Sequence, residues 1–276
     1  MRELSLLFLL CFITDSTAAV QAVQTSLGNR ATALLRQAQS GRFFPEAVKL
    51  KPDIIGTSDG QSFLVVWKAT KEPKHWIVSL HGSQGFATDD LAIWHPHLKD
   101  RDVGLICVQW WLGAGDAPAA YYTPAEIYHE VDLALEKLHV EAGAVMLHGF
   151  SRGAANSYAV AALDAGRGRH YFSLAVASSG GVDLDYRPTR DILNGEFGEH
   201  ALQGTRWVTV AGGKDPQPDR DGIPGMKRTG EWLKEQGAVV VEAIEDPGEG
   251  HGALQRNGKN ARHVLDLFLN EKNEPR

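Results

Sequence analysis

The stretch VMLHGFSRG at residues 145–153 decides the fold, because it places the pattern Gly-x-Ser-x-Gly between a strand-like run and a helix-like run. Residues 145–148 form a short apolar run typical of a buried strand, and residues 152–163 are mostly small and compatible with a helix. A serine on a tight turn from strand to helix has strained backbone geometry, which lifts its hydroxyl group above the sheet. Glycines two residues before and after it remove Cβ atoms that would clash in such a turn. The stretch therefore predicts a strand, a sharp turn at Ser151 and a helix.

Short apolar runs and helical patterns alternate along the rest of the chain. We predict strands at residues 63–68, 75–80, 103–109, 145–148, 172–177, 207–211 and 238–244. We predict helices at residues 31–39, 124–138, 152–163, 223–235 and 261–269. Because the strands are continuous apolar runs separated mostly by helices, we expect one α/β domain over residues 20–276, with a mostly parallel central sheet and helices on both faces. Residues 184–205 lack a clear period and form either a small cap or a surface loop.

The first nineteen residues differ from the rest of the chain. Residues 4–13 are apolar except for Ser5, and small residues follow at 16–19. This order is typical of a secretory signal peptide cleaved after Ala19 or Ala22, and the alternative is a buried N-terminal helix. The apolar run is much shorter than the roughly 20 residues that a helix needs to span a bilayer. We expect a signal peptide at 1–19 and an exported protein, periplasmic or secreted, with no stable membrane insertion after its removal.

Composition and charge exclude several classes of protein. Apolar side chains make up 43% of the 276 residues, which is enough for one large core and too much for a disordered chain. The formal net charge of -6 and the lack of a Lys/Arg cluster argue against a nucleic-acid partner, because such proteins neutralise phosphates with a basic face. Without the signal segment Cys107 is the single thiol, and its apolar surroundings predict a buried, inert residue.

Ser151 needs two partners, because a serine hydroxyl is a poor nucleophile near neutral pH unless a base activates it and an acid orients the base. His251 lies between the last predicted strand and the last helix, flanked by glycines, and Asp215 follows the strand at 207–211. All three residues fall where parallel strands end at the carboxyl edge of the sheet, which is where ligands bind in open α/β sheets. We predict that Ser151, Asp215 and His251 are catalytic. Asp183, after the preceding strand, is the alternative acid.

A third element is the sequence HGSQG at residues 81–85, which also follows a predicted strand. Acyl transfer needs two hydrogen-bond donors aimed at the oxyanion that develops on the substrate. One donor is the backbone amide of the residue after the nucleophile, Arg152, and the other comes from a loop of this kind. We expect the second donor to be the amide of Ser83 or Gln84, and we favour Ser83.

Two further groups of residues have alternative interpretations. Trp110 and Trp111 follow a strand on the expected active-site side, where they either line a substrate pocket or pack against a helix. Asp219 and Asp221 make an acidic stretch with Asp215 whose carboxylates could hold Ca²⁺, but their spacing lacks the regular ligands and the terminal Glu of an EF-hand, so we favour solvated loop acids. We predict no metal and no organic cofactor.

Taken together, the HGSQG loop, the Gly-x-Ser-x-Gly turn, the acid and the histidine, in that chain order, resemble the α/β-hydrolase superfamily over residues 63–269. Within it the chain is similar to secreted esterases of the polyhydroxybutyrate-depolymerase and feruloyl-esterase kind and to dienelactone-hydrolase relatives, although dienelactone hydrolases have Cys where this chain has Ser151. The resemblance implies an α/β-hydrolase fold and a serine hydrolase that cleaves small-molecule or polymer carboxylic esters through an acyl-enzyme. The alternatives are a peptidase or amidase on the same fold, and a non-catalytic exported binding protein.

Overall fold

The computed structural model describes residues 27–270, so the expected signal peptide at 1–19 lies outside the described residues. Within 27–270, eight strands form one sheet: β1 (Asp53–Gly56), β2 (Phe63–Lys68), β3 (His75–Leu80), β4 (Val103–Val108), β5 (Val145–Phe150), β6 (Phe172–Ser178), β7 (Arg206–Gly212) and β8 (Val239–Asp246). The same residues form nine α-helices: α1 (Asn29–Ala38), α2 (Phe44–Lys49), α3 (Ala87–Leu98), α4 (Pro124–Lys137), α5 (Arg152–Gly166), α6 (Arg187–Leu193), α7 (Ile223–Glu235), α8 (Ala253–Arg256) and α9 (Gly258–Asn270).

The sheet is mostly parallel, as predicted. Its strand order is β1-β2-β4-β3-β5-β6-β7-β8, with β1 and β2 antiparallel to their neighbours and every later pair parallel. The carboxyl ends of β3, β5, β6 and β7 therefore meet at one edge, and β5 lies in the middle of the sheet. This order brings the loops after these four strands together.

Helices cover both faces of the sheet, which confirms the layered architecture expected from the continuous apolar strands. On one face, α4 and α5 bury a cluster that includes Ile127, Val131, Tyr158 and Trp207. On the other face, the buried side chains of the helices come mainly from α1, α3 and α9. Cys107 is buried among them as expected, and burial raises the pKa of its thiol. Each strand contributes alternate side chains to the two layers.

The start of α4 shows how local sequence sets a helix boundary. Thr123 accepts a hydrogen bond from the backbone N–H of Glu126 at 3.3 Å, and the Glu126 carboxylate accepts one from the Thr123 N–H at 2.7 Å. This reciprocal capping box satisfies two backbone donors that a helix N-terminus leaves without partners. Pro124 occupies the first helical position, where its missing N–H costs nothing.

Residues 184–205 contain the helix α6 and several turns. Ile192 and Leu202 are buried, and Asn156 in α5 donates a hydrogen bond to the hydroxyl of Tyr186 at 2.9 Å. The segment thus packs against α5 beside the start of that helix. Across residues 27–270, no helix has the length and apolar character needed to cross a membrane.

Candidate active site

Ser151 lies on the sharp turn between β5 and α5 that the sequence predicts. Its backbone has φ 54° and ψ −121°, a conformation that is unfavourable for a residue with a side chain. The turn is held by the Ser151 N–H, which donates to the carbonyl of Ser178 at 2.9 Å. A Cβ at Gly153 would stand 2.1 Å from the carbonyl oxygen of Leu80, so only glycine fits there. The strained turn projects Ser151 at the carboxyl edge of the sheet.

The structure brings His251 and Asp215 to Ser151. His251 Nε2 lies 2.9 Å from Ser151 Oγ, and His251 Nδ1 lies 2.8 Å from Asp215 Oδ2. Since a carboxylate only accepts, the imidazole carries its proton on Nδ1 and its free Nε2 can accept the serine proton. The other oxygen of Asp215 accepts the backbone N–H of Gln217 at 2.8 Å, which fixes the carboxylate. Asp215 is buried, and the His251 side chain is 31% exposed, so a substrate can reach the Nε2 side.

The alternative acid, Asp183, lies elsewhere. Its side chain is exposed and accepts the backbone N–H of Asp185 rather than an imidazole proton. Among the described residues, the carboxylate that hydrogen-bonds His251 is that of Asp215.

A second buried carboxylate, Asp221, lies beside this pair. Its ligand atoms and those of Asp215 and His251 fall within 4.8 Å of one another. However, the guanidinium of Arg220 binds both Asp221 oxygens, at 2.6 to 3.1 Å, and supplies the compensating positive charge. His251 and Asp215 already satisfy each other. Asp219, the other acid of this stretch, is exposed.

The loop at residues 81–85 forms a tight turn against the sharp turn at Ser151, which we call the elbow. The Gly82 carbonyl accepts two hydrogen bonds, from His81 Nδ1 at 2.8 Å and from the Gly85 N–H at 3.1 Å. In a trans peptide the carbonyl and the following N–H point in opposite directions, so these two bonds also fix where the Ser83 N–H points. The Gln84 N–H is engaged by the Tyr121 hydroxyl at 3.2 Å. Of the two candidate donors in this turn, Ser83 is thus the one whose amide stays free within the described residues.

The buried side chain of His81 stabilises this turn through its hydrogen bond to the Gly82 carbonyl. Burial lowers its pKa to about 4, so the imidazole is neutral at physiological pH and its Nδ1–H is committed to the Gly82 carbonyl. Its ring stacks on Trp110 with centroids 5.4 Å apart, and the Trp110 indole N–H donates to the His81 carbonyl at 3.0 Å. Trp110 is 1% exposed, and the indole N–H of Trp111 donates to the Gly115 carbonyl. Both tryptophans are buried, and Trp110 packs beneath the turn rather than facing an open pocket.

A network that sequence reasoning missed links the Arg152 side chain to the Gln84 N–H, next to Ser83, through Asp116 and Tyr121. The Tyr121 hydroxyl donates to Asp116 Oδ1 at 2.7 Å, and Arg152 donates to the same carboxylate at 2.8 Å and 3.3 Å. The Arg152 guanidinium also lies 4.5 Å above the Tyr121 ring. Asp116 and Tyr121 lie in an irregular, glycine-containing loop. Tyr121 belongs to a group of aromatic residues that follow strand ends on the expected active-site side, but the sequence pattern does not predict its hydrogen bonds.

A buried polar cluster lies beneath the elbow, and we call it the His148 cluster (Ser79, Asp90, Trp94, His148 and Gln255). Ser79 Oγ lies 2.6 Å from Asp90 Oδ2 and 2.9 Å from His148 Nδ1. The Trp94 indole donates to the same Nδ1 at 3.3 Å, and the Gln255 side-chain amide lies 3.4 Å from His148 Nε2. Burial raises the pKa of Asp90 to about 7 and lowers that of His148 to about 3. A protonated Asp90 can donate to Ser79 Oγ, which then donates to Nδ1 of a neutral His148.

Comparison with protein-family models and with curated proteins finds no match. Solved structures do match. An esterase from Pyrobaculum calidifontis is 16% identical with a TM-score of 0.60, over 94% of both chains. A phospholipase/carboxylesterase from Dyadobacter fermentans is 18% identical with a TM-score of 0.53, over 75% of this chain and 95% of that one. A fungal esterase from Rhizomucor miehei is 14% identical with a TM-score of 0.58, over 94% and 96%. At these identities the likeness concerns architecture, and together with the sheet order it shows that the chain has the α/β-hydrolase fold.

Proposed function

We propose that the protein is a serine hydrolase that cleaves carboxylic esters through an acyl-enzyme intermediate. The observation that carries the proposal is the hydrogen-bonded chain from Ser151 through His251 to Asp215, with separations of 2.9 Å and 2.8 Å. These are the distances at which a base can take a hydroxyl proton and an acid can orient the base. The structural neighbours are described as esterases, which favours an ester as the substrate.

The reaction begins when Ser151 Oγ attacks the ester carbonyl carbon and its proton moves to His251 Nε2. The carboxylate of Asp215 accepts the Nδ1–H and stabilises the imidazolium. Backbone N–H groups of Arg152 and Ser83 bind the oxyanion of the tetrahedral intermediate. His251 then protonates the leaving alcohol oxygen as the carbon–oxygen bond breaks. Water repeats the sequence on the acyl-enzyme, which releases the carboxylic acid and restores Ser151.

A fluorophosphonate probe tests the proposal, because it modifies only an activated serine. We expect the wild type to gain the mass of one adduct and Ser151→Ala to gain none, with Ser40→Ala as a control in an exposed turn outside the site. Ser151→Ala should also lose most of the esterase rate, by about 10⁶-fold in kcat. An unmodified but folded wild type would contradict the proposal and favour the non-catalytic binding protein.

A panel of p-nitrophenyl esters and peptide p-nitroanilides separates the ester hydrolase from the peptidase or amidase alternative. We expect turnover of the esters, with far slower cleavage of the anilides. Efficient anilide cleavage that disappears in Ser151→Ala would assign the same residues to an amidase.

We also propose that the protein is exported. The apolar run at residues 4–13 followed by small residues supports a signal peptide. The intact mass of protein recovered from the periplasm or medium tests this, and a mature N-terminus at Val20 or Val23 is expected. Full-length protein retained in the cytoplasm would exclude export.

A further inference from the structure

The loop that carries the Ser83 amide is held by a hydroxyl from outside it. Gln84 has φ 53°, a left-handed conformation that costs energy for a residue with a side chain. Its N–H donates to the hydroxyl of Tyr121, which is 7% exposed. The Gly82 carbonyl fixes one side of the Ser83 peptide, so the Tyr121 hydroxyl is the contact that fixes the other side of the turn.

Tyr121 is itself fixed on three sides. Its ring packs on Trp110 with centroids 4.8 Å apart, and its backbone forms a bridge with Trp111. Its hydroxyl donates to Asp116, and that hydrogen bond directs the oxygen lone pairs toward the Gln84 N–H. The ion pair with Arg152 in turn holds the Asp116 carboxylate.

Arg152 connects the network around Tyr121 to the expected oxyanion hole. Its backbone N–H is the other expected oxyanion donor, while its side chain contacts both Asp116 and the Tyr121 ring. The two amides that must converge on one oxygen atom thus belong to segments joined through Tyr121. A preorganised pair of donors stabilises a transition state more than a mobile pair, because no reorganisation is needed during the reaction.

We propose that Tyr121 is a positioning residue that aligns the two halves of the oxyanion hole, and that the Asp116–Arg152 ion pair holds Tyr121 in place. This inference rests on the proposed ester hydrolysis. Tyr121 acts through the Gln84 amide and touches no reacting atom.

Tyr121→Phe tests the proposal, with Tyr122→Phe as the matched control. Tyr122 is the next residue and also donates its hydroxyl to an aspartate, Asp59, at 2.7 Å, but within residues 27–270 its hydroxyl makes no hydrogen bond to residues 81–85. Active sites are counted by fluorophosphonate titration, so that kcat refers to folded enzyme. We expect Tyr121→Phe to lower kcat on a p-nitrophenyl ester by about tenfold, less than the roughly 10²- to 10³-fold loss on removing an oxyanion donor itself, with KM nearly unchanged.

A trifluoromethyl ketone gives a readout that a merely structural role would not change, because its adduct with Ser151 places an oxyanion in the hole. We expect its inhibition constant to rise in Tyr121→Phe by the same factor by which kcat/KM falls, and to stay at the wild-type value in Tyr122→Phe. The double variant Tyr121→Phe/Asp116→Asn should be no slower than Tyr121→Phe, because Asp116 acts through the lost hydroxyl.

Different results overturn different claims. A reactive wild type whose Tyr121→Phe variant keeps its kcat and its inhibitor affinity overturns this inference alone. Losses that multiply in the double variant overturn the role given to Asp116. A wild type that is inert toward the fluorophosphonate overturns the proposed function, and this inference with it.

Discussion

We predict that Asp90 and His148 bind one proton between them in the folded protein over a mildly acidic pH range, and that their titrations change the free energy of unfolding with opposite signs. Asp90 is 5% and His148 is 1% exposed, and Ser79 bridges them. Burial raises the pKa of Asp90 from 3.8 to about 7 and lowers the pKa of His148 from 6.5 to about 3. Between about pH 4 and about pH 6.5, the folded protein therefore holds the proton on Asp90, and the unfolded chain holds it on His148. Both states bind one proton, so the pair contributes no pH dependence in this window.

Substituting either residue should reveal how the titration of the other changes the free energy of unfolding. In His148→Gln only Asp90 remains, and the stability that its raised pKa gives is complete below pH 3.8 and lost as the pH rises through about 7. The free energy of unfolding should then fall by about 1.4 kcal/mol per pH unit relative to the wild type, or about 3 kcal/mol between about pH 4.5 and about pH 6.5. In Asp90→Asn only the lowered pKa of His148 remains. Stability should rise with pH at about the same slope, since the unfolded chain binds the extra proton.

Urea denaturation at several pH values, followed by tryptophan fluorescence, measures these slopes. Differences from the wild type remove the contribution of other groups, including Asp89, whose pKa burial raises to about 6. Opposite slopes in the two variants are the expected outcome. If neither variant's difference from the wild type in unfolding free energy changes with pH, the predicted protonation of Asp90 and His148 is wrong. Slopes of reversed sign would instead show that each of these buried groups favours its charged form when the other is absent.

Two further predictions concern the site itself. Asp215→Asn should lower kcat by about 10⁴-fold because the imidazole loses its orienting carboxylate, whereas Asp183→Asn should stay within about twofold of the wild type in the same ester assay. Equal losses in the two variants would contradict the geometry at His251. Gly153→Ala should reduce the yield of folded protein and lower Tm by several degrees, because its Cβ would stand 2.1 Å from the Leu80 carbonyl oxygen. Wild-type thermal denaturation of this variant would show that the elbow can relax.

The strands were largely predictable from sequence because buried parallel strands are continuous apolar runs. β2 and β3 have the predicted bounds, and the other predicted strands differ by no more than two residues at either end. The antiparallel β1 was missed, since it has four residues and no buried side chain. The helix α3 was missed because Pro96 and polar residues interrupt its apolar pattern.

The residues expected to act in catalysis were also predictable, whereas their supporting residues were not. Ser151, Asp215 and His251 each lie within five residues of the end of a parallel strand, so the parallel order places them at one edge. Tyr121 and Gln255 reach their partners from loops and short helices whose paths depend on tertiary packing. From the sequence, Trp110 could either line a substrate pocket or pack in the core, because an aromatic side chain after a strand fits either position.

The glycine pair at the end of β7 shows where sequence can signal a tertiary contact. A Cβ at Gly212 would stand 2.1 Å from the carbonyl oxygen of Gly250, the residue before His251. The loop that carries His251 can therefore lie against the end of β7, from which Asp215 leaves, only because position 212 has no side chain. Backbone-to-backbone approach of this kind demands glycine and leaves a mark in the sequence. A hydroxyl such as that of Tyr121 leaves no such mark, because its partner is a backbone amide that every residue except proline possesses.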